Sequence, residues 1–226
     1  MGIILTPDIR SKAYLRKILD YSIKLDEIIF LNDKKSEKIF SKFAIRESRK
    51  CGFDVSESVL DILLENKINF KEFDYVDINN LDLNNYLKKS KINYFIFTGG
   101  GILGTTILNS GPKFIHFHPG IIPDYRGSTC FYYSIINEDK CGVTCFIMDE
   151  KLDTGSIVFQ KNFPLPNHSF IDEVYDPYIR AETLKEVLQN KLLEKENFRE
   201  QKPEEGETYF VIHPVLKHIS MLSYLQ

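Results

Sequence analysis

The stretch of sequence that decides the fold is residues 114–158, FIHFHPGIIPDYRGSTCFYYSIINEDKCGVTCFIMDEKLDTGSIV. It opens with Phe-Ile-His-Phe-His, in which His116 and His118 stand two residues apart, and the run stops at Pro119-Gly120. Alternation of this kind predicts a β-strand. Side chains two apart on a strand point to the same face. His116 and His118 are therefore expected on one face at a strand end.

The second half of this stretch supplies a carboxylate. A loop over residues 121–127 leads into a predicted helix, for which Ser128 or Thr129 is the expected N-cap. A second strand is predicted over residues 142–148, and Asp153 follows it in Leu-Asp-Thr-Gly. The strand-end imidazoles and this loop carboxylate are expected to converge on one cleft.

The same stretch resembles the folate-dependent formyltransferases, which include methionyl-tRNA, glycinamide ribonucleotide and sugar-nucleotide N-formyltransferases. The resemblance rests on five motifs in the family's order and at similar spacing: His118-Pro119, Arg126-Gly127, Asn137-Glu138-Asp139, Gly142-Val143-Thr144 and the run from Asp149 to Gly155. One position departs from the family pattern. The family's catalytic Asn falls on His116.

The order of predicted elements favours an α/β fold with a parallel sheet. Strands are expected over residues 2–5, 26–31, 70–75 and 94–97, and helices over residues 11–25, 34–49, 55–66, 81–89 and 180–193. The resemblance implies a Rossmann-like, mostly parallel twisted sheet with helices on both faces. Residues 1–165 would form the catalytic domain, with the folate loop and active site in 99–155.

Residues 166–226 are expected to form a short C-terminal extension, helical or extended, packed on the domain. Within it, residues 194–207 are rich in charge and expected to be exposed. The apolar tail, residues 209–224, is expected to pack back on the domain.

Formyl transfer needs donors for a developing oxyanion and a route for the proton that leaves the attacking amine. His118 suits both tasks, because its cation donates hydrogen bonds and its ring titrates near neutral pH. Asp153 would hold the ring and favour the charged form. The resemblance assigns catalytic roles to the same two positions. At His116 a ring N–H could replace the amide N–H of the family's Asn.

Two other readings remain open at these residues. His116, His118 and Asp153 have the ligand types of a metal site, which would suit a metal-dependent hydrolase. No further His or Cys stands at a typical ligand spacing, so no metal is expected. A non-catalytic folate-binding protein is the other reading, because His116 replaces the family's Asn.

The resemblance also implies binding residues. Residues 99–104 fit Gly-x-Gly-x-x-Gly, which is weak as a dinucleotide fingerprint without a following acidic residue. In the family the matching loop wraps the folate's pterin, and glycine allows that approach. The cofactor set is Gly99, Gly100, Gly101, Ile102, Leu103 and Asp149. The substrate set is Gly120, Tyr125 and Arg126. The alternative for the glycine loop is an ordinary strand-to-helix turn without a ligand. The alternative for Arg126 is a purely structural role.

Bulk properties limit the partners. The chain has 226 residues and a formal net charge of −3, which does not favour nucleic acid. The sequence contains no run of 18 apolar residues, so no membrane span is expected. Four cysteines without a Cys-x-x-Cys motif and no signal peptide suggest a cytoplasmic enzyme with reduced thiols.

The predicted function is transfer of a formyl group from 10-formyltetrahydrofolate to the amine of a small metabolite. An amino sugar nucleotide is the favoured acceptor, and glycinamide ribonucleotide is the alternative. A homodimer remains open.

Overall fold

The structure, a computed structural model, describes residues 1–32, 38–74, 77–99, 101–195, 197–202 and 204–225. The chain divides into two compact units, unit 1 (Met1–His116) and unit 2 (Phe117–Gln226). None of the helices in the described ranges is both long and apolar enough to cross a membrane.

Unit 1 is built on parallel strands with helices between them. Its strands are β1 (Gly2–Leu5), β2 (Glu27–Asn32), β3 (Lys71–Asp74), β4 (Tyr94–Phe97) and β5 (Lys113–His118), whose last two residues belong to unit 2. Its helices are α1 (Ile9–Asp20), α2 (Lys42–Lys50), α3 (Val59–Glu65), α4 (Leu81–Leu87) and α5 (Thr105–Leu108). The strand order is β3-β2-β1-β4-β5, and each neighbouring pair is parallel.

The central strands of unit 1 are buried because their sequences are apolar on both faces. All four residues of β1 are buried, as are the last three of β4. Runs of this kind suit a parallel sheet covered on both faces. The alternation of strand and helix around this sheet confirms the expected α/β class.

Side-chain caps decide where the helices of unit 1 begin. The four N-cap residues whose side chains accept a backbone N–H in the first turn are Asp8, Ser41, Ser58 and Asn80. An uncapped N–H costs free energy, so a helix tends to start at the residue after such a side chain. The sequence prediction began one helix at residue 55, but Ser58 starts it at Val59. Another was predicted from residue 34, but within the described residues it starts at Lys42; residues 33–37 lie outside the described part.

Unit 2 combines antiparallel and parallel pairs. Its elements are β6 (Tyr125–Gly127), α6 (Cys130–Glu138), β7 (Cys141–Ile147), β8 (Ile157–Phe163), α7 (Asp176–Gln189), β9 (Glu207–Tyr209) and α8 (Pro214–Tyr224). A π-helical turn, Ile171–Tyr175, precedes α7, and a 3-10 turn, Leu192–Lys195, follows it. Strands β7 and β8 pair antiparallel, whereas β6 and β9 pair parallel.

The N-cap of α6 is Thr129, one of the two residues expected there, but its side chain does not cap the helix. Thr129 occupies the cap position with a φ of 55°, and its side chain makes no cap bond. Its hydroxyl instead donates to the Ser128 carbonyl and accepts the N–H of Ile212. The side chain that a sequence rule assigns to a local cap therefore serves a contact 83 residues away along the chain.

The β6–β9 pair was not predicted, because the sequence around β9 suggests an exposed, charged segment. Tyr125 lies opposite Glu207, and Gly127 lies opposite Tyr209. Gly127 has a φ of +101°, and a Cβ there would lie 2.1 Å from the Tyr209 carbonyl oxygen. Glycine at residue 127 is thus needed for this close approach. A high content of charged residues predicts that side chains are exposed, but it does not predict whether the backbone pairs with another strand.

A buried chain of hydroxyl groups joins β1, α1 and the end of β4. The N–H of Thr6 donates to Ser11 Oγ, Ser11 Oγ lies 2.6 Å from Thr98 Oγ1, and Thr98 Oγ1 donates to the Ile4 carbonyl. A carbonyl only accepts and an N–H only donates. The direction is therefore fixed, with Ser11 donating to Thr98.

We expect Thr98→Val to lower the free energy of unfolding by ~1–3 kcal/mol, because it leaves the Ser11 hydroxyl hydrogen buried without an acceptor. The replacement keeps the volume and the β-branched shape. Urea unfolding would measure the change. Thr106→Val, at an exposed position of α5, is the matched control and should stay within about 0.5 kcal/mol of wild type. Equal stabilities for Thr98→Val and wild type would contradict the hydroxyl chain.

Candidate active site

His118 lies at the end of β5 and is 2% exposed. Its Nε2 lies 2.8 Å from the Tyr125 carbonyl oxygen, and its Nδ1 lies 3.3 Å from Asp153 Oδ2. The structure therefore brings together the strand-end imidazole and the loop carboxylate that the sequence singled out. Both belong to unit 2, as do Gly120, Tyr125, Arg126 and Asp149.

Asp153 is held in an unusual backbone conformation. Its φ is +53°, in the left-handed region that residues other than glycine seldom adopt. Its Oδ2 accepts the N–H of Gly127 at 2.7 Å, in addition to facing His118. In the same loop, Asp149 Oδ1 accepts the Lys151 N–H and the Thr154 hydroxyl. Asp149 thus shapes the loop that presents Asp153.

The contacts of His118 fix where its protons lie. The Tyr125 carbonyl only accepts, so Nε2 carries a hydrogen and donates it. Asp153 is also an acceptor when ionised, so its contact with Nδ1 is favourable when a second proton lies between Nδ1 and Oδ2. The pair can therefore hold a proton at Nδ1, facing Oδ2.

The surroundings of His118 pull its pKa in both directions. Burial lowers the pKa of His118 below its ordinary value, and the Asp153 carboxylate partly opposes this shift. The Arg180 guanidinium lowers the pKa further, while the Tyr125 carbonyl and Asp176 raise it. The sequence suggested a favoured cation. In the folded chain the loss of hydration is the larger effect, so the net shift is downward.

Gly120 packs directly against the imidazole. A Cβ at residue 120 would lie 2.9 Å from His118 Nε2 and 2.9 Å from the Tyr125 carbonyl oxygen. Thr144 on β7 holds the same turn, because its hydroxyl donates to the Gly120 carbonyl and accepts the N–H of Ile122. Gly120 thus makes room for the His118–Tyr125 hydrogen bond.

The side chains of Tyr125 and Arg126 both form hydrogen bonds with other groups of the protein. The Tyr125 hydroxyl donates to Glu138 Oε1 at 2.7 Å, and burial raises the pKa of this phenol. Arg126 is 5% exposed, and its Nε and Nη2 donate to Gln201 Oε1 at 3.0 and 2.7 Å. Its Nη1 donates to the Glu205 carbonyl. A role of either residue in holding a substrate stays a prediction.

Three neighbours of this site carried no functional assignment in the sequence. Thr144 belongs to the Gly-Val-Thr motif that supports the family resemblance, but the motif assigned it no function. Arg180 donates from Nη1 to the Phe117 carbonyl and from Nε to Asp176, and only its place on a predicted helix was visible. Gln201 had no sequence signal. It lines a pocket of about 580 Å³ together with Arg126 and residues 147–151, 154–156, 200 and 202.

The glycine-rich loop lies in unit 1. Gly101 has a φ of +99° and open space where a Cβ would stand, and the Ile102 side chain is 75% exposed. Gly99 has a packing reason, since a Cβ there would lie 2.7 Å from the Phe97 ring. Leu103 is buried. Gly100, named with them from the sequence, lies outside the described residues.

Asn79 braces this loop. Its Oδ1 accepts the N–H of Gly104, and its Nδ2 donates to the Ile102 carbonyl. The loop is therefore held at both ends of its apolar pair, and the sequence did not single out Asn79 for this task.

His116, the position that departs from the family pattern, is half-buried in unit 1. Its Nδ1 lies 3.3 Å from the Phe97 carbonyl oxygen, so Nδ1 donates. In a neutral ring the remaining nitrogen, Nε2, is then an acceptor. His116 can offer a second N–H from Nε2 only as the cation.

Among the described residues, no group of three or more His, Cys, Asp and Glu side chains is arranged to hold a metal ion. In His118 both ring nitrogens have a protein partner, the Tyr125 carbonyl and Asp153.

Known proteins resemble this chain in sequence and in structure. A family model described as formyl transferase matches residues 60–190, more than half of the chain. Methionyl-tRNA formyltransferase of Clostridioides difficile is 30% identical over 198 residues, which are 85% of this chain and 58% of that protein. The chain thus spans less than two thirds of that relative's length.

Two solved structures share the fold along the whole chain. The N-formyltransferase of Helicobacter canadensis, in complex with folinic acid and dTDP-3-aminofucose, has a TM-score of 0.65 and 16% identity, with 100% of this chain and 80% of that chain covered. A sugar N-formyltransferase from Shewanella has a TM-score of 0.60 and 16% identity, with 100% and 87% covered. These likenesses confirm the Rossmann-like α/β fold. Together with the family model, which includes both His118 and Asp153, they confirm the resemblance noted in the sequence, and the chain belongs to the formyl transferase family.

Proposed function

We propose that this protein transfers the formyl group of 10-formyltetrahydrofolate to the amine of a small, nucleotide-linked amino sugar. The observation that carries the proposal is the buried pair of His118 and Asp153, whose facing atoms lie 3.3 Å apart, in a chain of the formyl transferase family. The pair offers the N–H donor and the proton store that formyl transfer requires.

His118 serves the carbonyl oxygen of the formyl group. When the amine nitrogen attacks the formyl carbon, a C–N bond forms and negative charge develops on that oxygen. The Nε2–H that now donates to the Tyr125 carbonyl is the donor that would turn to this charge. An N–H aimed at a developing oxyanion stabilises the transition state.

Asp153 serves the proton balance. The amine loses a proton when it becomes an amide, and the folate nitrogen that leaves takes one up. The pair would release a proton held between Nδ1 and Oδ2 to the leaving folate nitrogen and then take up the proton that the amine loses. The N–H of Gly127 keeps the carboxylate oriented throughout.

The glycine-rich loop fits a flat, partly apolar cofactor. Bound formyl-folate would supply an activated one-carbon group. Gly101 leaves open space above the backbone, and exposed Ile102 offers an apolar surface. Asn79 keeps the loop in place through Gly104 and the Ile102 carbonyl. Asp149 would act through the shape of its own loop.

The solved likenesses support a sugar acceptor. The Helicobacter protein was solved with an amino sugar nucleotide, and the Shewanella protein is a sugar N-formyltransferase. Methionyl-tRNA is the second candidate acceptor, because the Clostridioides relative carries that name. The net charge of −3 weighs against it, since tRNA binding depends on cationic contacts to phosphates.

The test is a formyl-transfer assay with 10-formyltetrahydrofolate and a panel of acceptors. The panel contains dTDP-linked amino sugars, glycinamide ribonucleotide and methionyl-tRNA, and mass spectrometry detects the formylated amine. We expect a product with a sugar nucleotide. Folate binding in calorimetry without any product would favour the binding-protein reading. Release of formate that depends on added metal would favour the hydrolase reading.

We expect His118→Asn and Asp153→Asn each to reduce turnover by at least ~10²-fold, the scale of a lost acid–base or oxyanion group. Two matched controls test the specificity of this loss. His218→Asn lies on the exposed side of α8, and Asp139→Asn changes another aspartate with positive φ, 52°, at an exposed helix end. Steady-state kinetics should give near-normal rates for both controls. A near-normal rate for either site variant would remove that residue from the mechanism.

The pH profile of turnover should report the same pair. The Asp153 carboxylate raises the pKa of His118, opposing the effect of burial. Removing the charge in Asp153→Asn should therefore move the pH limb that reports His118 to lower pH. Turnover measured from pH 5 to 9 would show the shift. A limb that moves to higher pH would contradict the assigned electrostatics.

His116 can be tested because the family's Asn provides a natural replacement. We expect His116→Asn to retain a substantial fraction of the activity, since an amide supplies an N–H. His116→Ala should lose ~2.7–4 kcal/mol of transition-state stabilisation, the cost of removing an oxyanion donor. The Asn variant should also keep activity at high pH, where a neutral His116 has an acceptor at Nε2.

Turnover against pH for wild type and both His116 variants, with metal content measured in parallel, is the experiment. Complete and equal loss of activity in the Asn and Ala variants of a metal-free protein would contradict the donor role.

A further inference from the structure

Gln201 connects the two backbone segments that meet at the His118–Asp153 pair. Its Nε2 donates to the carbonyls of Asp153 and Gly155 at 3.1 and 2.6 Å. Its Oε1 accepts from Nε and Nη2 of Arg126. One side-chain amide thus joins the Asp153 loop to strand β6, where Gly127 and the Tyr125 carbonyl also contact the pair.

The orientation of this amide is fixed by its partners. Carbonyl oxygens only accept, and a guanidinium only donates. The NH₂ group of Gln201 must therefore face the Asp153 loop, and its oxygen must face Arg126. All four of these contacts are satisfied in one arrangement, so the side chain acts as a rigid link rather than a loose surface group.

The chain on the N-terminal side of Gln201 is itself anchored. Arg199 and Ile157 exchange two backbone hydrogen bonds, at 2.8 and 3.0 Å. The Ser156–Glu200 hydrogen bond beside it, at 2.8 Å, joins side chains only and is not part of this backbone pairing. Gln201 therefore reaches the Asp153 loop from a backbone that is already fixed beside it.

The Asp153 loop needs such support. A left-handed conformation at a residue other than glycine is less favourable than an extended or right-handed one, even for Asp, and persists where the surroundings stabilise it. Asp153 has a φ of +53° and must place Oδ2 against both Gly127 N and His118 Nδ1. Two hydrogen bonds from Gln201 to the backbone of the same loop hold that conformation.

We propose that Gln201 is a positioning residue, whose side-chain amide keeps the Asp153 carboxylate in contact with His118. The proposal deepens the proposed function, because it concerns the same pair. Its consequence is electrostatic. If the loop relaxes, the carboxylate moves away from the ring and His118 loses the charge that opposes the effect of burial.

The charged groups around His118 make the direction of this effect definite. Asp153 and Asp176 favour the imidazolium, and Arg180 on α7 disfavours it. Arg180 and Asp176 bind each other at 2.8 Å, whereas the four contacts of Gln201 go to Asp153, Gly155 and Arg126. Loss of the Gln201 link should therefore act through Asp153, and it should lower the pKa of His118.

The test variant is Gln201→Met, which is similar in length, carries no charge and makes none of the four contacts. Titration of the His118 ring by NMR needs neither cofactor nor acceptor. We expect its pKa to be lower in Gln201→Met than in wild type. Hydrogen exchange of the Gly127 amide, which donates to Asp153 Oδ2, should be faster in the variant relative to the Ile147 amide.

Ser156→Ala is the matched control. It removes the neighbouring hydrogen bond to Glu200 in the same segment without a change of charge. Its His118 pKa and Gly127 exchange should equal those of wild type. Gln201→Asn, which is one methylene too short to span all four partners, carries the test if the Met variant does not fold. It should shift both readouts in the same direction.

Turnover gives an independent reading. We expect kcat to fall ~10-fold to 10²-fold in Gln201→Met with the acceptor KM unchanged, the scale of a misplaced catalytic group. An unchanged His118 pKa together with unchanged Gly127 exchange would overturn the positioning role, even if the melting temperature fell. Absence of formyl transfer in wild type would instead overturn the proposed function, while the two NMR readouts would still decide the role of Gln201.

Discussion

The site of this protein depends on one constraint: each ring nitrogen of a buried imidazole needs a hydrogen-bond partner. His118 meets it with the Tyr125 carbonyl on one side and Asp153 on the other. Each partner reaches His118 only because of a particular local backbone feature. The carbonyl approaches because residue 120 has no side chain, and the carboxylate approaches because Asp153 adopts a left-handed turn.

Burial gives this pair its chemical character. In water a histidine and an aspartate would exchange protons with solvent independently. Here the loss of hydration acts against the imidazolium and is the larger effect, while the carboxylate 3.3 Å from Nδ1 acts for it. A group of this kind can both donate to a developing negative charge and take up a proton, as acyl transfer to an amine requires.

The C-terminal segment supplies contacts that hold the site of unit 2 in place. Strand β9 pairs with β6, the Glu205 carbonyl accepts from Arg126, and Gln201 links Arg126 to the Asp153 loop. The motif residues therefore owe their geometry to residues that lie about 50 to 80 positions later in the sequence. The close approach at Gly127 shows that this pairing leaves no room for a side chain.

The sequence by itself determined the fold class, the strand that ends at His118, and the pairing of catalytic candidates His118 and Asp153. The fold class and the strand follow from apolar periodicity, which records which face of an element is buried. The pairing was expected from the places of the two residues at a strand end and in a loop, and from the family resemblance. Cap chemistry set the helix starts more narrowly than periodicity could, as Ser58 shows.

Only the tertiary structure decided what the polar side chains bind. Arg126 reads from sequence as an anion anchor, and in the folded chain three of its N–H groups donate to Gln201 and Glu205. Thr129 reads as a helix cap, yet its hydroxyl accepts a distant N–H. The reason is physical: a hydrogen bond depends on which groups meet in space, and residues 126 and 201 carry no pattern that links them along the chain.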